Sequence, residues 1–144
     1  GNNVGIRASN GEFIGVGSQD DNVYFFNSSS STPLWKYDTD DDIREVDISD
    51  DGRYIVAGVG ASEDQMHLFS ISSSTPLWSY DSSDSVDQVS ISSDGQYIAA
   101  GGEDSKVYVY SRDSSTPLCT YNILFLIKPV LKVIHVSIEP SCAK

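Results

Sequence analysis

A five-residue segment of this chain returns twice, the last time with one change. Ser31-Thr32-Pro33-Leu34-Trp35 returns as Ser74-Thr75-Pro76-Leu77-Trp78, and again as Ser115-Thr116-Pro117-Leu118-Cys119. The prolines lie 43 and then 41 residues apart. A second marker, Asn10-Gly11, Asp51-Gly52 and Asp94-Gly95, steps by 41 and then 43. The difference has a place: Gly58 to Met66 is two residues longer than Gly17 to Val23 or Gly101 to Val107. A repeat of this length constrains the fold more than any composition does. Each copy is one supersecondary unit that must bury its apolar faces against its neighbours.

Within a copy, four short strand signals alternate with turn residues. In the middle copy Ile43, Val46 and Ile48 mark a first strand, and Asp51-Gly52 supplies a pair that tolerates positive φ. Tyr54 to Gly58 is continuous and small-sided, as a strand buried on both faces should be. Met66 to Phe69 and Leu77 to Tyr80 complete the set, with Ser72-Ser73-Ser74 and Asp81-Ser82-Ser83-Asp84 as polar loops. No apolar pattern of helical period is sustained, which removes ankyrin-like and tetratricopeptide-like repeats of similar length. Four strands in about 40 residues is the blade of a β-propeller. The expected fold is all-β: a β-propeller of four-stranded antiparallel blades, three of them in this chain.

The third copy carries Val89-Ser90-Ile91-Ser92-Ser93-Asp94-Gly95-Gln96-Tyr97-Ile98-Ala99-Ala100-Gly101, then Asp104 and Lys106-Val107-Tyr108-Val109-Tyr110. This resembles the blade of WD-repeat propellers. Leu34-Trp35-Lys36-Tyr37 and Leu77-Trp78-Ser79-Tyr80 are similar to the fourth strands of quinoprotein-like repeats; Leu118-Cys119-Thr120-Tyr121 keeps that frame without the Trp. The resemblance covers residues 4–121 and implies a fold rather than an activity. Both the Gly-His and the Trp-Asp dipeptides of typical WD repeats are missing, so their buried polar network is not carried over.

The blades are expected at about 4–38, 43–81 and 86–121, making residues 1–121 one propeller segment and 122–144 a divergent tail. In the first blade, alignment back from Gly11 sets Gly5 and Arg7 where Val46 and Ile48 stand. A one-residue bulge before Asn10 would return Val4 and Ile6 to the inward face. For the tail two readings stand level. Val133 and Val136 can open a fourth blade where Val86 and Val89 open the third, or the apolar run Ile123 to Ile127 is an exposed, non-native extension.

Three blades do not close a ring that ordinarily takes about 4–8. An open arc leaves strand edges and apolar faces in water, so more chain must complete it. Either the natural protein is longer or copies join head to tail. Two chains make six blades and three make nine, which ranks a homodimer ahead of a trimer.

The net charge is −12. Residues 1–121 hold 20 acidic against 6 basic side chains, whereas 122–144 hold one against three. An acidic body repels phosphate backbones, which argues against nucleic acid as a partner. No apolar run reaches the roughly 18 residues of a membrane span, and no signal peptide is visible. The chain opens at Gly1-Asn2-Asn3, so cytoplasmic and extracellular locations both remain open. Two cysteines, Cys119 and Cys142, define neither a zinc site nor a redox compartment, and their pairing is left open.

Little in the chain speaks for catalysis. His67 and His135 are the only histidines, and His67 falls where the other copies hold Tyr24 and Tyr108, an outward structural position. No catalytic, cofactor-binding or metal residue is assigned, no cofactor is expected, and the chain is read as not an enzyme. The candidate binding loops are acidic. Asp38, Asp40, Asp41 and Asp42 lie between the first and second blades, and Asp81, Asp84 and Asp87 between the second and third. Their spacing lacks the pattern of a calcium-binding EF-hand loop. Asp20-Asp21, Glu63-Asp64 and Glu103-Asp104 recur between second and third strands as turn chemistry. Trp35, Trp78, Tyr37 and Tyr80 are assigned to blade-to-blade packing over a ligand-stacking role.

The function expected is a non-catalytic scaffold that binds protein or ligand and assembles from repeated blades. The alternatives are a quinoprotein-like oxidoreductase using the central channel, and a calcium-dependent extracellular adhesive module.

Overall fold

Each repeat folds as its turn chemistry directs. Gly11, Gly52 and Gly95 take positive φ values of 82°, 69° and 69°, a conformation that folds the first strand of each copy back onto the second without a side-chain clash. The computed structural model describes residues 5–60, 66–82 and 84–123. They form three antiparallel sheets of four strands, each sheet in chain order. The first sheet holds β1 (Gly5–Ser9), β2 (Phe13–Gly17), β3 (Asn22–Asn27) and β4 (Trp35–Asp38). The second holds β5 (Ile43–Ile48), β6 (Tyr54–Val59), β7 (Met66–Ser70) and β8 (Trp78–Tyr80). The third holds β9 (Val86–Ile91), β10 (Tyr97–Gly102), β11 (Lys106–Ser111) and β12 (Cys119–Asn122).

The sheets meet through their first and second strands: β1 lies beside β5, and β5 beside β9, while β6 approaches β9 and β2 approaches β5. They therefore converge at β1, β5 and β9, as blades do around an axis. Registers repeat faithfully. Gly17 pairs with Val23, Gly58 with Met66 and Gly101 with Val107. The two additional residues of the middle copy thus fall between Gly58 and Met66, where residues 61–65 lie outside the described set.

The first blade corrects one expectation. Its register runs without a shift from Gly5↔Gly17 to Ser9↔Phe13. Ile6 pairs with Val16 as Val46 pairs with Ala57, so the inward face is restored. A shortened turn, rather than a bulge, absorbs the missing residue. Only Asn10, Gly11 and Glu12 separate Ser9 from its partner Phe13. In the second and third blades four residues separate Ser49 from Tyr54 and Ser92 from Tyr97, pairs that are joined by N–H···O bonds of 3.0 and 2.9 Å.

Two apolar clusters fill the gaps between sheets. One gathers Val23, Ile43, Val46, Ile55, Ala57, Val59 and Phe69 between the first and second sheets. The other gathers Val56, Met66, Leu68, Val86, Val89, Ile91, Ile98, Ala100, Tyr108 and Tyr110 between the second and third. The middle sheet gives alternate residues to each, Ile55 and Ala57 to one side and Val56 to the other, which explains its continuous apolar β6. Of the tail, Asn122 closes β12 and Ile123 N–H donates to Ser105 C=O at 2.7 Å. Residues 124–144, with Val133, His135, Val136 and Cys142, lie outside the described set.

Candidate functional site

The fourth strands carry the aromatic column between sheets. Trp35 stacks on Phe25 of its own sheet at 5.3 Å and meets Phe69 of the next at a tilt, 5.2 Å away, and its Nε1–H donates to Ile71 C=O at 2.8 Å. Trp78 repeats this one junction later, against Tyr110 at 5.4 Å, donating to Arg112 C=O at 2.7 Å. Two residues on, Tyr37 packs on His67 and Phe69, and Tyr80 on Tyr108 and Tyr110. Both indoles are half-buried and bonded at the nitrogen to the next sheet.

His67 corrects a second expectation. It is 2% exposed, so it does not point outward. The middle sheet has a neighbour on each side, and the ring is enclosed by Tyr37 and Phe69 with Nδ1 2.7 Å from Ser79 Oγ. Tyr24, at the same position, is only half-buried because the first sheet has no described sheet on that side.

The acidic loops are built by short-range bonding. Asp38 Oδ1 accepts from Asp40 N–H at 3.1 Å, and Asp41 Oδ1 from Asp42 N–H at 2.7 Å. Thr39, buried beneath them, donates its N–H to Asp21 C=O at 2.7 Å, and its single hydroxyl proton lies between Asp21 C=O and Asp41 C=O, with the oxygen 2.9 and 2.8 Å from them. Thr39 thereby joins two loops that are separate in sequence. The result shows at Asp21, whose carboxyl is held above its ordinary range. Partial loss of hydration is the first cause, and the charges of Asp42, Asp38, Asp41 and Asp20 add to it. Asp40 is exposed at the tip with φ 63°. Asp81 and Asp84 belong to the next loop, where Ser82 Oγ donates to Asp84 C=O and Asp84 Oδ1 accepts from Ser85 N–H at 2.9 Å. These two are not among the charges that act on Asp21. Among the described residues no three His, Cys, Asp or Glu side chains converge as a metal site would need.

Asp20 and Asp104 play matching parts. Asp20 Oδ1 accepts from Asn22 N–H at 3.2 Å and Oδ2 from the Tyr24 hydroxyl at 2.5 Å. Asp104 takes Lys106 N–H at 3.0 Å and the Tyr108 hydroxyl. The Tyr24 bond holds the Asp20 carboxyl below its usual range. Glu63-Asp64 lies outside the described residues.

Two side chains escaped the sequence reading. Glu45 Oε2 accepts from Val89 N–H at 3.3 Å, and Asp47 Oδ2 from Ile91 N–H at 2.9 Å. Both N–H groups lie on the inner edge of the third sheet, so carboxylates of the second sheet satisfy donors that no strand pairs. The signal was present as acids at alternate positions of an innermost strand. At the outer rim a shallow groove of about 440 Å³ is lined by Tyr54, Ser70, Leu77, Trp78, Arg112 and Asp113, with the Arg112 guanidinium 4.6 Å over the Tyr54 ring.

Comparison with known proteins agrees with this geometry. Residues 74–111 match the family described as WD domain, G-beta repeat. No curated protein matches the chain. Among solved structures, the computationally designed Ika8 protein is similar with a TM-score of 0.70 and 13% identity, over 82% of this chain and 36% of that one. A chain of the Mitotic Checkpoint Complex is similar with a TM-score of 0.70 and 13% identity, over 82% of this chain and 38% of the other. The chain thus spans little more than a third of the length of either. The likeness extends to 1134 solved chains, so it identifies an architecture and not a partner. No helix among the described residues is long and apolar enough to cross a membrane. The described residues thus form an arc of three β-propeller blades, of which residues 74–111 match the WD-repeat model.

Proposed function

We propose that the chain is a non-catalytic scaffold whose acidic loops receive a basic protein surface. One observation carries the reading: Thr39 ties the Asp20-Asp21 turn to the Asp38–Asp42 loop, and their charges act together on Asp21. A basic surface would relieve that repulsion. Rigid sheets on either side hold the loops in place, which limits the ordering cost of binding. Complementary charge of this kind speeds encounter and sets partner sign more than it fixes one sequence.

The arc is also completed by further chain, a second copy before any other. The test of the loop reading is calorimetric titration with a lysine-rich peptide at low and high salt. Replacing Asp38, Asp41 and Asp42 together by Asn should weaken binding at least about tenfold at low salt, with little difference at high salt. Equal affinity for the parent and triple variant at low salt would reject the reading.

A further inference from the structure

The two internal junctions share a contact whose halves also stand at the two ends of the arc. At the first junction the Phe13 ring covers the Gly52 turn: a Cβ on Gly52 would lie 2.9 Å from Phe13 Cδ2. At the second, Tyr54 covers the Gly95 turn, where a Cβ would lie 2.5 Å from Tyr54 Cδ2. The third covering ring is Tyr97, 45% exposed. The third turn is Gly11, where a Cβ would meet no described atom within 4 Å. One end of the arc therefore bears the ring and the other bears the turn.

A second contact behaves alike. Gly17 leaves room for Ile43 and Val46, and Gly58 for Val86 and Val89. Gly101 is the third glycine, and Ile6 is the residue of the first sheet that stands where Val46 and Val89 stand. Val46 and Val89 are 0% and 5% exposed, and Ile6 is 57% exposed. The fourth strands add a third contact. Tyr37 and Tyr80 lie on the third-strand rings of the next sheet, and Tyr121, their counterpart, is 51% exposed. Tyr24 and Phe26 offer the matching rings at the opposite end.

We infer that the third blade of one chain docks on the first blade of a second copy, repeating the internal junctions and closing a six-bladed ring of two chains. Tyr97 would cover Gly11 of the partner, Gly101 would admit Ile6, and Tyr121 would lie on Tyr24 and Phe26. A second copy is favoured as occupant because it supplies a whole blade and because one junction type answers both ends at once. The junction would be weaker than the two internal ones, since Cys119 stands where Trp35 and Trp78 each donate a hydrogen bond to the next sheet. This inference names a partner within the scaffold reading above, and rests on it.

The test is mass by light scattering on Ile6→Lys, Tyr97→Lys and their equimolar mixture. The parent should run as two chains and each variant as one, with unchanged circular dichroism because both positions are exposed. The mixture should regain a two-chain mass, because one junction per pair then has both native faces. A parent that stays monomeric overturns the inference, as does a mixture that stays monomeric. Dissociation by only one of the variants overturns it too, since a symmetric contact of like faces needs only one end. Tyr97→Ala serves in place of Tyr97→Lys should the latter not fold. Titrating the lysine-rich peptide into the monomeric variants separates the two readings. Retained peptide binding by a parent that does not self-associate would reject the ring and leave the loops standing.

Discussion

The first and second junctions of the arc share one plan and differ in chemistry. Between the first and second sheets the column is mainly hydrocarbon: Phe13 stacks on Phe25 at 5.4 Å, Phe25 on Trp35, and Trp35 meets Phe69 at a tilt. Between the second and third sheets the equivalent rings are phenols, Tyr108 and Tyr110, and two carboxylates cross from the inner strand. The comparison teaches that blade geometry fixes where a contact falls but leaves its chemistry free. Apolar rings adhere through buried area and ring-to-ring contact and ask for no hydrogen-bond partner. Phenols bring hydroxyls that must find partners when they are buried.

Glycine should separate the two junctions most sharply. A Cβ on Gly58 would stand 2.6 Å from the Val86 carbonyl oxygen, a backbone atom that cannot step aside. A Cβ on Gly15 would meet Ile55 Cδ1 at 2.3 Å, the far end of a side chain that can rotate. We expect Gly58→Ala to cost about 3 kcal/mol and Gly15→Ala about 1 kcal/mol, read by chemical denaturation. Equal costs would show that the junctions are alike in rigidity.

Next in size is the crossing carboxylate. Asp47→Ala removes the acceptor of Ile91 N–H and should destabilise by about 1–2 kcal/mol, with Asp47→Asn recovering most of the loss. Faster hydrogen exchange should be confined to β9 and spare the first junction. A uniform rise across all three sheets would deny that the bond is local. The smallest effect should be a gain. Tyr110 is fully buried, and its hydroxyl has no hydrogen-bond partner among the described residues. Burial, with the Tyr80 phenol beside it, pushes its ionisation far above the ordinary phenol range, so it stays neutral. Tyr110→Phe makes the position like Phe69 and should stabilise by about 0.5–1 kcal/mol in the same denaturation experiment. A loss would mean that the hydroxyl is better satisfied than its surroundings show.

Much of this was legible beforehand. Strand order, the inward face of the middle copy and the place of the two-residue insertion follow from repeated Gly, Pro and apolar residues, because those residues act locally. The three-residue turn after Ser9 was not legible, since a missing residue can be absorbed by bulging a strand or by shortening a loop. Only the pairing partner decides which. His67 was misplaced because its burial depends on a neighbouring sheet, which its own strand does not encode. The link from Asp21 to Asp38, Asp41 and Asp42 was hidden for the same reason. It runs through Thr39, whose hydroxyl recurs at Ser82 but gives way to Ile123 in the third copy.

The glycine gaps have a consequence for growth of the molecule. Gly17 and Gly58 accept the same kind of first strand, with Ile43 and Val46 in one case and Val86 and Val89 in the other. Any blade can therefore follow any other, and a duplicated stretch of 41 or 43 residues enters the arc without inventing a new surface. The same permissiveness is a hazard on the ribosome, where an emerging third blade can dock on the first and omit the second. The first blade carries Gly5 and Arg7 where the second carries Glu45 and Asp47, so a third blade docked on the first would leave Val89 N–H and Ile91 N–H without those carboxylate acceptors.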